Sequence, residues 1–224
     1  MTPPKQLAQS LPEDQLLDVG ISTFKDNIPE DYDERIAQII SPEIRRAEVQ
    51  YLPYITKNLI QSSGNWGAVR VVPRPSLAVD VIMSGEIIES TGETLRLKIT
   101  VHDATGRQWY EKGYSALASK YAYEDSFPQD IDAFQSIYKQ ITDDLLEYRL
   151  TLNESDIQQI RAVAEMRFAQ SFSSEAFGDH VSQEENGQYR LLKLPAEEDP
   201  MLASVRKVRE REYLFIDTID EYYA

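Results

Sequence analysis

The stretch SGEIIESTGETLRLKITVHDATGRQWYEKGYSAL, residues 84–117, decides the fold class. Within it Leu95, Leu97, Ile99 and Val101 alternate with Arg96, Lys98 and Thr100, the period of a strand with one dry face and one wet face. Glycine-bearing turns bound that strand: Ser90-Thr91-Gly92-Glu93 before it and Asp103-Ala104-Thr105-Gly106 after it. Apolar runs on either side, Val79–Ser90 and Gln108–Leu117, complete three strands joined by short turns, an antiparallel meander. Such a meander has one face to bury, so covering helices are expected on that face.

Upstream, QLLDVGISTF (15–24) has the apolar content of a first strand, and KDNIPEDYDER (25–35) reads as a polar loop. SPEIRRAEVQYLPYITKNLIQS (41–62) has helical period, with Ser41 as cap, Pro42 at the first position, and Ile44, Val49, Leu52, Ile55 and Leu59 on one side. Pro53 inside it is expected to kink or divide the helix. A short strand, Ala68–Val72, follows the GNWG corner at 64–67. Downstream, 129–150 is an amphipathic helix with Ile131, Phe134, Ile137, Tyr138, Ile141, Leu145 and Tyr148 as its stripe. A second helix spans 153–172, with Ile157, Ile160, Val163, Ala164 and Phe168 facing one way. Residues 178–200 read as an acidic loop with one short strand over YRLLKL, and 201–224 as a final helix. That helix has no closing Gly or Pro, so the chain is expected to continue beyond it. The expected architecture is α+β: a mostly antiparallel sheet with helices packed on one face, then a helical C-terminal extension. The expected organisation is a flexible lead-in at 1–14, an α/β domain at 15–150, and the extension at 151–224.

The 224 residues carry a net charge of −15, distributed over both parts of the chain. A negative field of that size opposes nonspecific binding to nucleic acid or anionic lipid, and no basic cluster exceeds RKVRER at 206–211. Cysteine is absent, which excludes disulfides, thiolate catalysis and cysteine metal sites. His102 and Asp103, as neighbours on a strand, point to opposite faces and make a poor dyad. His180 has no second histidine at ligand spacing. Glu86 and Glu89 are at odd spacing and so are expected on opposite faces. No phosphate loop and no G-x-S-x-G nucleophile elbow occurs. No catalytic residue, cofactor or metal is therefore assigned.

The residue type in excess is tyrosine, with 13 copies. Tyrosine suits protein interfaces because its ring is rigid and its hydroxyl tolerates water. The candidate interaction surface comprises Tyr114, Tyr121, Tyr123 and Phe127 with Arg206, Arg209, Tyr213 and Phe215. The final helix has a basic first half and an acidic second half, the order its dipole disfavours, so it is expected to gain stability by packing on the body or on a partner.

Three motifs carry a family resemblance over residues 15–150. A helix ends in the GNWG turn before a strand. Asp80, Ile82, Gly85 and Ile87 follow an aspartate–apolar–glycine–isoleucine cadence, with slightly altered spacing. Asp103, Gly106 and Trp109 close the next hairpin. In this the chain resembles the N-terminal α/β domain of bacterial envelope proteins: auxiliary lipoproteins of ABC transporters, outer-membrane activators of penicillin-binding proteins, and the TolB-like N-terminal domain. The resemblance implies a noncatalytic periplasmic protein, outer-membrane-anchored through a lipid on an upstream cysteine that has been removed. Its partner would be another envelope protein. Residues 151–224 depart from the short auxiliary lipoproteins. A peptidoglycan- or small-ligand-binding module and a carboxylate-dependent hydrolase stand as alternatives. Trp66 and Trp109, beside glycine-bearing turns, are expected to be packing residues.

Overall fold

The computed structural model describes residues 3–8, 11–73, 76–118, 132–196 and 198–222. In chain order the elements are β1 (Val19–Ser22), α1 (Tyr32–Ala37), α2 (Pro42–Ser62), β2 (Val69–Val72), β3 (Val81–Ser90), β4 (Thr94–Asp103), β5 (Gln108–Leu117), α3 (Gln135–Arg149), α4 (Glu154–Phe172), α5 (Ser174–Phe177), β6 (Val181–Gln183), β7 (Tyr189–Leu191) and α6 (Pro200–Tyr222).

The meander is present: β3, β4 and β5 pair antiparallel in sequence order. Thr91 holds the first turn, its hydroxyl accepting the Glu93 and Thr94 N–H groups at 3.2 and 3.0 Å. Asp103 holds the second, accepting the Thr105 N–H at 2.9 Å while Gly106 takes φ +81°. Two bulges modify the alternation. One between Ile87 and Glu89 places Glu86 opposite Lys98 and Glu89 opposite Arg96, so these acids share a face rather than opposing each other. The other, near Trp109, lets Trp109 and Tyr110 both reach Tyr148 of α3, at centroid distances of 4.9 and 6.2 Å.

The sheet as a whole is mixed, not mostly antiparallel. Its order is β2-β1-β3-β4-β5, and β1 runs parallel to both neighbours. All four β1 residues are buried. A strand dry on both sides reads as an unbroken apolar run, which is the mark of a parallel interior strand. Such a strand needs cover on two faces. Val69 of β2 belongs to the core with Leu52 and Ile60 of α2. The next residue, Arg70, points the other way and pairs with Asp217 of α6 at 2.6 Å. Helices therefore lie on both faces at this edge, in place of the single covered face.

α2 runs unbroken through Pro53. Proline lacks the N–H that would bond the Val49 carbonyl, and the Phe24 N–H takes that carbonyl instead at 3.1 Å. The turn lost inside the helix thus ties the chain after β1 to α2. Ile44 does not share the buried side of α2; it is 62% exposed. α4 opens on a capping box between Asn153 and Asp156, and Ile157, Ile160 and Ala164 enter the main core. A second core joins Val163, Met166 and Phe168 of α4 to Phe177, Val181, Leu202 and Val205.

Residues 25–35 are not all loop, since α1 begins inside them. Residues 178–200 contain a β6–β7 hairpin rather than one strand. Its turn is Asn186-Gly187, with Gly187 at φ +84° and the Asn186 side chain accepting the Gln188 N–H at 2.9 Å. Near the start of the chain, Asn65 of the GNWG corner donates to the Lys5 carbonyl at 2.9 Å and accepts the Leu7 N–H at 3.1 Å. Gly67 has no room for a side chain, because a Cβ there would run into Asp18 Oδ1.

Candidate interaction face

Asp31 starts α1, its carboxylate accepting the Glu34 N–H at 2.9 Å. The helix is six residues long and buries none of them. A helix that short gains too little from its own hydrogen bonds to persist in water; packing must supply the rest. Yet Tyr32 and Ile36, one turn apart, are both exposed. The chain then passes through Ile39 at φ +56°, a region β-branched residues avoid, and leaves its side chain 76% exposed. Ile44 follows on the first turn of α2.

Ile39, Ile44 and Tyr51 line a groove of about 520 Å³ between the start of α2, the β3–β4 turn and the start of α3. Leu52, Leu95, Phe134 and Tyr138 also line it. Its polar groups are engaged within the fold. Asp132 accepts from Tyr51 at 3.1 Å and from the Phe134 N–H at 2.7 Å. Burial, with Asp132 alongside, holds the Tyr51 hydroxyl above the usual phenol range. Arg45 is buried, donates to the Asp26 and Ser90 carbonyls at 3.0 and 3.4 Å, and pairs with Glu48 at 3.2 Å. Its exposed rim is formed by the side chains of Ile39, Ile44 and Tyr51.

Aspartates gather at the opposite end of the sheet. Asp80 is buried and its carboxyl is pushed up to about 6, burial outweighing the Asp18 N–H it accepts at 2.9 Å and the Arg209 guanidinium 3.7 Å away. A raised carboxyl beside a cleft is a candidate acid or base. The cleft, about 300 Å³, is lined by Ser84, His102, Arg167 and Tyr189 among others. Their contacts are structural. Arg167 donates to the Ala104 carbonyl at 2.6 Å and lies 3.7 Å over the Tyr189 ring. Asp103 is held by Thr105 and by the Trp109 indole N–H at 2.9 Å. His180 packs edge-on against Phe177 in the second core. Among the described residues, no group of three or more histidine, aspartate or glutamate side chains could hold a metal ion. No helix of the described residues is long and apolar enough to cross a membrane.

Of the eight residues expected at an interaction surface, the five described ones do not gather in one place. Tyr114 is buried and donates to Asp144 of α3 at 2.8 Å. Arg209 donates to the Ala78 carbonyl at 2.8 and 2.6 Å, and the Tyr213 hydroxyl donates to the same oxygen. Arg206 is exposed and bidentate on Glu165 at 2.6 and 3.2 Å. Phe215 is exposed beside Leu214. Tyr121, Tyr123 and Phe127 lie outside the described residues. The α1–α2 face escaped the sequence reading because 25–35 is dominated by charge. The signal was present as an Asp31 cap followed by Tyr32, Ile36, Ile39 and Ile40 at helical spacing.

No protein-family model matches the chain, and no curated protein sequence matches it. Among solved structures it is similar to a PelC dodecamer from Paraburkholderia phytofirmans, at TM-score 0.35 and 12% identity, over 66% of this chain and 94% of that one. A likeness of that size carries no argument about fold or function.

Proposed function

We propose that this chain is a noncatalytic protein of the bacterial cell envelope, acting in assembly, tethering or activation through contacts with another protein made by the α1–α2 face. The observation that carries the contact surface is α1 itself: a six-residue helix that buries none of its side chains and is followed by a strained, exposed Ile39. Both features cost stability in the free chain, and burial against a partner would offset them. The envelope compartment rests on the resemblance carried by GNWG, Asp80, Gly85, Asp103 and Trp109, and so does anchoring at the outer membrane through a lipid. Against catalysis weighs the engagement of Asp103 and Arg167 in hydrogen bonds that hold turns together.

The test compares wild type with the Ile36→Glu/Ile44→Glu variant, each tagged and expressed in the native host. Proteins that co-purify after cross-linking are quantified. Both side chains are exposed, so melting temperatures should agree. The proposal expects one or more cross-linked proteins, a second, differently tagged copy of this chain included, to be lost from the variant. An identical co-purifying set would contradict it.

A further inference from the structure

Two apolar patches stand out among the described residues. Eight large apolar side chains are more than 60% exposed; four of them, Tyr32, Ile36, Ile39 and Ile44, belong to the α1–α2 face, and two, Leu214 and Phe215, to α6. The patches differ in charge. Between residues 30 and 46 the exposed charged groups are Glu30, Asp31, Asp33, Glu34 and Glu43 against Arg46 alone. On α6 the inward side is already engaged, with Leu202, Val205 and Ile216 buried. The outward side presents Lys207, Arg211 and Leu214, at spacings of four and three residues, with Phe215 beside them; among the described residues Glu210 is exposed there, while the half-exposed Asp217 is paired with Arg70. Lys207 and Arg211 have no ion pair or hydrogen bond with any described residue, whereas Arg206, on the flank, is satisfied by Glu165.

We infer that the α1–α2 face of one copy is covered by the outward stripe of α6 from a second copy, head to tail. The inference rests on the α1–α2 face being a contact surface and names its partner. Copies of a chain with net charge −15 repel one another in general. An acidic apolar face therefore needs a partner surface of the opposite sign, and the α6 stripe supplies two cations, unpaired among the described residues, flanking two exposed anchors. The two surfaces are different parts of one molecule, so the contact is heterologous: each copy carries one socket and one plug. The match in sign sets orientation and association rate, and the apolar anchors set how long the contact lasts.

The experiment uses sedimentation velocity on the full chain at low and high salt. Wild type should self-associate with rising concentration, more weakly as salt screens the cations. A socket variant, Ile36→Glu/Ile44→Glu, and a plug variant, Lys207→Glu/Leu214→Glu, should each lose self-association by on the order of a hundredfold. Mixed together, the two variants should form a one-to-one pair that grows no further, since each retains the half the other lacks. Monomeric wild type at all concentrations overturns the inference. So does a plug variant that associates as wild type does, or a variant mixture that stays apart. If the wild type is monomeric while Ile36 still cross-links a different envelope protein, the self-contact falls and the contact surface stands.

Discussion

Replacing Trp109 separates the two things that side chain does. It is 5% exposed, stacks on Tyr148 of α3 at 4.9 Å, and donates its indole N–H to Asp103 Oδ2 at 2.9 Å. Asp103 is a fully buried carboxylate, and its other oxygen holds the Thr105 turn. Trp109→Phe keeps a ring on Tyr148 but withdraws a donor from a buried anion, a loss of about 1.5–3 kcal/mol. Trp109→Ala also empties the space between Trp66 and Tyr148, for a total of roughly 3–5 kcal/mol. Because Asp103 is the acceptor, Trp109→Phe should cost much less in an Asp103→Asn background, with a coupling of about 1 kcal/mol or more. The assay is urea unfolding followed by far-UV circular dichroism, with slopes checked so that midpoints convert to stability. A Phe variant within about 0.5 kcal/mol of wild type in both backgrounds would refute the view that the indole braces the β4–β5 turn.

Asp80 gives a pH signature. Its folded value of about 6 lies above its ordinary value of 3.8, so its contribution to stability is full below 3.8 and is lost as pH rises through about 6. The gap between Asp80→Asn and wild type should therefore widen in favour of the variant by roughly 2 kcal/mol from pH 4 to pH 7; a gap that does not change with pH contradicts this. Ile39→Gly should raise stability by about 1 kcal/mol by relieving the φ of +56°, while weakening any contact made by the α1–α2 face. Equal or lower stability in a melt would remove the claim of strain. Arg70→Ala should loosen α6, since Arg70 is bidentate on Asp217 and lies 4.3 Å from the Tyr213 ring. The expected cost is about 1–2 kcal/mol, with faster amide exchange over residues 209–217 than over β4. Unchanged exchange there would mean that Arg70 does not hold this part of the helix.

The meander was legible because Leu95 to Val101 alternate without a break and both turns carry glycine. α3 was legible for the same kind of reason, a long helical period; the extent of α4 was legible too, but its apolar residues divide between two cores instead of facing one way, with Ile157, Ile160 and Ala164 in one and Val163 and Phe168 in the other. The parallel pairing of β1 was not, because a four-residue strand, Val19-Gly20-Ile21-Ser22, does not say which strands lie beside it. That depends on a crossover through α2, a tertiary fact. The pair Glu86 and Glu89 was placed wrongly because a bulge adds one residue and reverses every later side chain. Tyr213 and Arg209 illustrate the limit for sites. Their spacing marks one side of a helix, but only the fold reveals that the Ala78 carbonyl waits there for both.

Contact with another protein through α1 and the start of α2 can be read out by photo-cross-linking in the native cell. A photoreactive residue is placed in turn at Ile36, Ile44, Gln158 and Glu175. Discrete protein adducts are expected from Ile36 and Ile44, and none above background from Gln158 and Glu175 on α4 and α5. Adducts of equal yield at all four positions, or adducts from α4 and α5 alone, would contradict a contact surface at α1 and α2.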